Sequence, residues 1–187
     1  MDALRVFARE PEAAGELLVE ADDEAVVVRD KYAKARRHFL VLLRGGVIDH
    51  VDDLRSEHAP QLDVLEARAQ RILDTYPDVA FRIGFHAVPS MRPLHLHVIS
   101  RDMDAPALKN KKHWHSFTSP DFFLDLDTVR ARLAADGKLD VRARRAEYEA
   151  MLKHSLSCHG CHLAVSNMPK LKAHIAQCRA VHELSRR

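Results

Sequence analysis

The sequence predicts an α+β fold, an antiparallel sheet with flanking helices, followed by a small metal-held module towards the C-terminus. Three observations predict it. Short apolar, β-branched runs recur through the first half of the chain; an amphipathic stretch separates one pair of them from the next; and Cys and His crowd the C-terminal end.

A length of 187 residues suits one core of ordinary size with a short appended unit. Leu4, Phe7 and Ala8 stand at helical spacing before Pro11, so a short helix comes first, with Phe7 read as core. "EAVVVRD" and "RHFLVLLR" read as two strands joined by the charged turn "DKYAKAR", a hairpin. In "VDDLRSEHAPQLDVLEARAQRILDTYPD", Leu62, Val64, Leu65, Ala69, Ile72 and Leu73 fall near one face, which predicts an amphipathic helix over the second half, ending near Pro77. "VAFRIGFHAV" and "PLHLHVIS" are two further strands. "APALKNKKHWHSFTSPDFF" reads as an irregular, basic and aromatic loop. "VRARRAEYEAMLKHSL" reads as a helix leading into the cysteines. The expected division is 1–140 for a catalytic domain and 141–187 for a linker helix and finger.

Lys and Arg number 29 against 27 Asp and Glu, a formal charge of +2, so net charge does not announce a nucleic-acid binder. Distribution says more. From Leu139 onward the acidic residues are Asp140, Glu147, Glu149 and Glu183, well outnumbered by Lys and Arg, which suits a polyanionic partner. No apolar run reaches the ~18 residues of a membrane span, and "MDALRVFAREPE" lacks a signal-peptide pattern. The expectation is a soluble intracellular protein without a membrane partner.

In "LHLHVIS", Leu94, Leu96 and Val98 alternate strictly with His95 and His97, so one sheet face is core and the other carries two adjacent imidazoles. Side chains two apart on a strand lie within ~7 Å, close enough to address one phosphate. An imidazole can attack phosphorus directly and form a phosphoramidate that water opens. On these residues alone, structural, metal-binding and catalytic roles all stay open.

Three cysteines cannot make a paired disulfide framework. Cys158 and Cys161 are two residues apart, twelve residues separate Cys161 from His174, and three separate His174 from Cys178. That spacing fits a tetrahedral Zn2+ site with its last two ligands one helical turn apart. Four protein ligands close the coordination shell, so the expected zinc is structural. His154, His159 and His162 lie nearby, and the helical spacing favours His174. The finger helix should begin near "MPKLKAHIAQC", with Lys170 and Lys172 either contacting DNA or belonging to a finger that only braces the catalytic domain. Lys109, Lys111, Lys112, His113 and Trp114 interleave cations with aromatics, a composition suited to phosphate backbone and stacking on an exposed base.

The stretches "RDKYAKARRHFLVLLR", "GFHAVPSM", "PLHLHVIS" and "LKNKKHWHSF", with the finger after them, resemble the histidine-triad superfamily and in particular its aprataxin branch. The resemblance covers nearly the whole chain, and "LKNKKHW" is its most specific part. It implies the histidine-triad fold and a DNA repair hydrolase that removes AMP from 5′-adenylated DNA ends through a covalent AMP-histidine, with no catalytic metal. Carried over by position, His95 is the nucleophile, His97 positions the phosphate and handles protons, and His38 buttresses the site. His86 and Ser90 reach the phosphate and the leaving 5′-oxygen. Lys34 and Arg36 lie beside nucleotide or DNA backbone, and Asp30 meets the adenosine ribose.

The implied partner is nicked or double-stranded DNA with a 5′-adenylated end, RNA–DNA junctions being a further candidate. AMP is the implied product, the protein a monomer, its place the nucleus. Two positions depart from the pattern: Pro93 replaces the first histidine of the signature, and His115 stands where the family usually has Asn. An aromatic that stacks on the terminal base pair would fall at or before Met1. A general nucleotide phosphoramidase or dinucleotide hydrolase is the alternative within the superfamily. A non-catalytic DNA-end-binding protein, which Pro93 favours, is the alternative outside it.

Overall fold

In a computed structural model, residues 2–186 are described. The expected position at or before Met1 lies outside them. Six strands, β1 (Leu18–Ala21), β2 (Ala25–Arg29), β3 (His38–Leu43), β4 (Phe81–His86), β5 (His95–Ser100) and β6 (Phe123–Asp125), form one sheet in the order β1-β2-β3-β5-β4-β6. Every pairing is antiparallel. The α+β expectation holds, and the four predicted strands are β2 to β5. β1 and β6 were not predicted; four and three residues long, they are too short to show an alternation.

The alternation along each strand sorts the core into two faces. On one, Val27, Phe39, Val41, Phe85, Leu96 and Val98 pack against α2 (Ala59–Thr75), through Leu62, Leu65, Ala69, Ile72 and Leu73, and against α4 (Leu126–Asp136). Tyr148 of α5 (Arg145–Met151) is buried in this same cluster. The buried Asp52 carboxylate accepts hydrogen bonds from the backbone N–H groups of Val141 (2.7 Å) and Arg142 (2.6 Å), fixing the start of that segment.

The opposite face has two pads. Over β2 and β3, Leu4 and Ala8 of α1 (Ala3–Arg9) cover Val26, Val28, Leu40 and Leu42, with Phe7 half-buried at the margin. Over the other end, Ile99 and Phe123 pack beneath α3 (Lys111–Thr118) and the finger, which includes α6 (Met168–Ile175) and α7 (Arg179–Leu184). The histidines lie between the pads. No helix among the described residues is long and apolar enough to cross a membrane.

The expectation of an irregular loop over residues 105–123 is corrected by α3. Asn110 caps this helix, its side-chain oxygen accepting from the His113 N–H at 2.9 Å, a signal that outweighs the aromatic composition.

Close approach of strands fixes Gly84. A Cβ there would stand 2.3 Å from the Leu124 carbonyl oxygen and 2.7 Å from the Phe123 ring, both on the adjoining β6. Gly84→Ala should therefore cost about 1–3 kcal/mol, as overpacking does. An unchanged denaturation midpoint would show that β6 gives way freely.

Candidate functional site

Strand pairing assembles the site. His38 lies opposite Ile99, Leu40 opposite His97 and Leu42 opposite His95, so His38, His95 and His97 share one face. His86, at the end of β4, completes the group: its ring centroid is 4.4 Å from that of His97, which is 4.8 Å from that of His95. His38, His95 and His97 are 4–5% exposed, so a role as solvent-facing polar residues does not apply.

Hydrogen bonds set the tautomers. The His95 Nδ1 lies 2.9 Å from the Pro93 carbonyl, which can only accept, so Nδ1 carries the proton and Nε2 keeps its lone pair. Pro93 thus serves His95 through its backbone, which a change of side chain leaves in place. The Lys34 N–H can only donate, and it reaches His38 Nδ1 at 3.2 Å; His38 therefore holds its proton on Nε2 and donates to His97 Nδ1 at 3.0 Å. His97 is left with an Nε2–H. Among the described residues, the buried Nε2 atoms of His97 and His86 have no hydrogen-bond partner. Buried polar atoms of this kind call for a ligand, and two imidazoles beside a nucleophilic nitrogen suit a phosphate.

Burial keeps the cluster neutral. It pushes His38 down to about 4, with the Asp30 carboxylate opposing the shift and Lys34 and His95 adding to it. Burial likewise lowers His95, against the Pro93 carbonyl and Asp30, and holds His97 and His86 well below the usual imidazole range. A neutral imidazole is the form that attacks phosphorus. Burial also lowers the Lys34 ammonium, while Asp30 opposes it.

Below an ordinary imidazole pKa near 6.5 the unfolded chain takes up protons that the folded cluster refuses, so stability falls as pH drops from about 6.5 towards 4, with His38 contributing throughout that window. His38→Asn should therefore flatten, without abolishing, the dependence of the urea midpoint on pH between 7 and 5; equal slopes in the two proteins would contradict the burial argument.

Other sequence-predicted residues are placed unequally. Asp30 joins the cluster: its carboxylate lies 3.4 Å from His38 Nδ1 and accepts from the Tyr32 N–H at 2.7 Å. Lys34 is buried beside it, its ammonium donating to the Tyr32 carbonyl. His113 is half-buried at the start of α3, where Lys34 adds to the lowering of its pKa that burial causes. Arg36 is turned outward, 67% exposed, and pairs with Asp104 at 2.9 Å. Ser90, Lys109 and Lys112 are exposed, and Lys111 is half-buried.

Trp114 is a correction. It is 1% exposed and its Nε1–H donates to the Ser157 carbonyl at 3.1 Å, so it cannot stack on a base. His115 is buried too, donating to the His154 carbonyl at 3.0 Å. Sequence reasoning missed Phe117, whose ring meets His38, His86 and His97 edge-on at 5.2, 4.5 and 5.2 Å. Its spacing of three from Trp114 on one helix face was the available signal.

The finger ligands converge as expected. One atom from each of Cys158, Cys161, His174 and Cys178 lies within 4.8 Å of the others; Cys158 and Cys178 Sγ are 3.8 Å apart, and Cys161 Sγ is 3.2 Å from His174 Nε2. A tetrahedral zinc with bonds of about 2.0–2.3 Å needs ligand separations of this order, and the donor set is one zinc prefers. The four side chains fit a structural Zn2+. His159, a rival ligand by sequence, instead donates to the Arg101 carbonyl at 2.8 Å.

Residues 5–113 match the family model described as scavenger mRNA decapping enzyme C-term binding, and residues 119–179 the C2HE / C2H2 / C2HC zinc-binding finger. Over 157 residues the chain is 45% identical to aprataxin of Danio rerio, covering 82% of this chain and 47% of that protein. It is 31% identical to an aprataxin-like protein of Schizosaccharomyces pombe, covering 94% and 80%. The chain thus spans about half the length of the vertebrate relatives. Among solved structures, the aprataxin orthologue Hnt3 in complex with DNA superposes with a TM-score of 0.77 at 28% identity, covering 97% of this chain and 98% of that one. Hnt3 in complex with DNA and guanosine gives 0.73 at 28% identity, covering 94% and 93%.

Proposed function

Because this chain belongs to the aprataxin family of the histidine-triad superfamily, we propose that it is a DNA repair hydrolase that removes AMP from 5′-adenylated DNA ends and leaves a 5′-phosphate. The observation that carries this reading is the tautomer of His95: Nδ1–H is held on the Pro93 carbonyl and Nε2 is free beside the unpartnered Nε2 atoms of His97 and His86.

In the first step His95 Nε2 attacks the AMP phosphorus. A P–N bond forms, the P–O bond to the DNA 5′-phosphate breaks, and the DNA leaves with that oxygen's electron pair. Positive charge arising on the imidazole is stabilised by the Pro93 carbonyl at Nδ1. His97, through Nε2–H, and Lys34 donate to the non-bridging oxygens, with His86 beside them. Water then attacks the same phosphorus and releases a proton to solvent, the P–N bond breaks, and its electron pair returns to Nε2 as AMP leaves.

In this reading Asp30 meets the ribose. Ser90 lies towards the leaving oxygen, and Arg36, Lys109, Lys111, Lys112 and His113 face the DNA backbone. The steps require no metal. Residues 1–140 are the catalytic unit and 141–187 the linker helix and finger, with Tyr148 seating that helix in the catalytic core. The partner is a nicked or double-stranded DNA end, the protein acts as a monomer, and such a substrate places it in the nucleus.

The test is incubation with a labelled 5′-adenylated nicked duplex without added divalent metal. Release of AMP with a ligatable 5′-phosphate is expected; a duplex bound but unchanged would make the chain a DNA-end binder and sink the catalytic reading.

A further inference from the structure

The phosphate site and the zinc site share one apolar cluster. α3 runs between them, and one of its faces sends Phe117 to the imidazoles and Trp114 to the finger. Phe117 packs edge-on against three imidazoles, two of which hold the unpartnered Nε2 atoms. Trp114 is clamped by the finger: its Nε1–H donates to Ser157, the residue before the ligand Cys158, and its ring lies 5.2 Å from that of His159, the residue after it. Cys158, Cys178, Trp114 and Phe117 all belong to the same buried cluster.

Two further ties leave the finger no independent seat. Lys172 donates from Nζ to the Ala105 carbonyl at 2.9 Å, and the Ala80 N–H donates to the Ser185 carbonyl at 3.0 Å. A Cβ on Gly160 would stand 2.9 Å from the Val181 backbone nitrogen, so the cysteine knuckle rests directly on α7.

From this geometry we infer that Phe117 and Trp114 are positioning residues through which the zinc-held knuckle sets the orientation of the His86 and His97 imidazoles. The inference rests on the phosphate-transfer reading. It goes beyond a finger that only holds DNA, because the metal then acts on chemistry that needs no DNA contact. A displacement of about 1 Å in a reacting group can cost about 10²-fold in rate.

The experiment uses the full chain with one zinc bound and adenosine 5′-phosphoramidate as a small substrate that makes no DNA contact. Chelation of zinc should shift or broaden the imidazole NMR signals of His86 and His97 and move the emission of Trp114, the single tryptophan, to longer wavelength; added zinc should reverse both. In the zinc-loaded chain, Phe117→Leu should displace the same imidazole signals and lower kcat by about 10- to 100-fold at unchanged KM, with zinc content and Trp114 emission unaltered. Imidazole signals that ignore zinc removal would overturn the inference, as would a Phe117→Leu protein with native imidazole signals and kcat. If the zinc-free chain loses the sheet signals altogether, the Phe117→Leu protein decides. If loaded wild type releases no AMP from the phosphoramidate, that counts against the functional reading, and the NMR arms still decide the coupling.

Discussion

His95→Ala should lower AMP release from an adenylated nick by at least about 10⁴-fold, the scale on which removal of a covalent nucleophile acts. Folding should survive: a buried imidazole with one hydrogen bond to a backbone carbonyl is replaced by a smaller side chain, at a cost of about 1–3 kcal/mol for the cavity and the unpaired carbonyl. The discriminating measurement is an acid-quenched single turnover with labelled AMP. Wild type should carry label on protein during the turnover, and His95→Ala none. Label retained by the variant would move the nucleophile to another imidazole. His97→Ala should differ in kind, since in the proposed mechanism His97 donates to the phosphate oxygens; it should still acquire label, more slowly.

Cys178→Ser should have the largest effect on stability. Structural zinc contributes on the order of 10 kcal/mol in small fingers, and a serine hydroxyl replaces a thiolate poorly. Zinc content should fall from one equivalent towards zero. Because the finger shares its buried cluster with Ile99, Phe117 and Phe123, the thermal transition of the whole chain should move down. Two separated transitions, with the catalytic part unfolding at the wild-type temperature, would show the finger to be an independent unit.

Much of this could be read along the chain. The alternation around His95 and His97 gave the strand and the pairing of two imidazoles on one face, because strand side chains repeat every two residues wherever the sheet goes. The spacing of Cys158, Cys161, His174 and Cys178 picked out the ligands for the same local reason: a knuckle and one helical turn fix them. Trp114 marks the limit. Its cationic neighbours made it look like a surface stacking residue, and only the packing of the finger against α3 buries it. Pro93 is the reverse case. Its side chain departs from the pattern, yet the atom that orients His95 is a backbone oxygen, which no residue name records.

The α+β class, four of the six strands, the amphipathic helix, the His95 and His97 pair and the zinc ligands were legible along the chain, since each depends on a period or a spacing in the linear sequence. Family resemblance had already pointed to His38 and His86 beside His95 and His97; the folded structure decided how the four imidazoles meet, that burial keeps them neutral, and that Phe117 links them to the finger. These depend on strand order and on which surfaces exclude water, and contacts between residues such as His38 and His97, fifty-nine positions apart, leave no local signal in the chain.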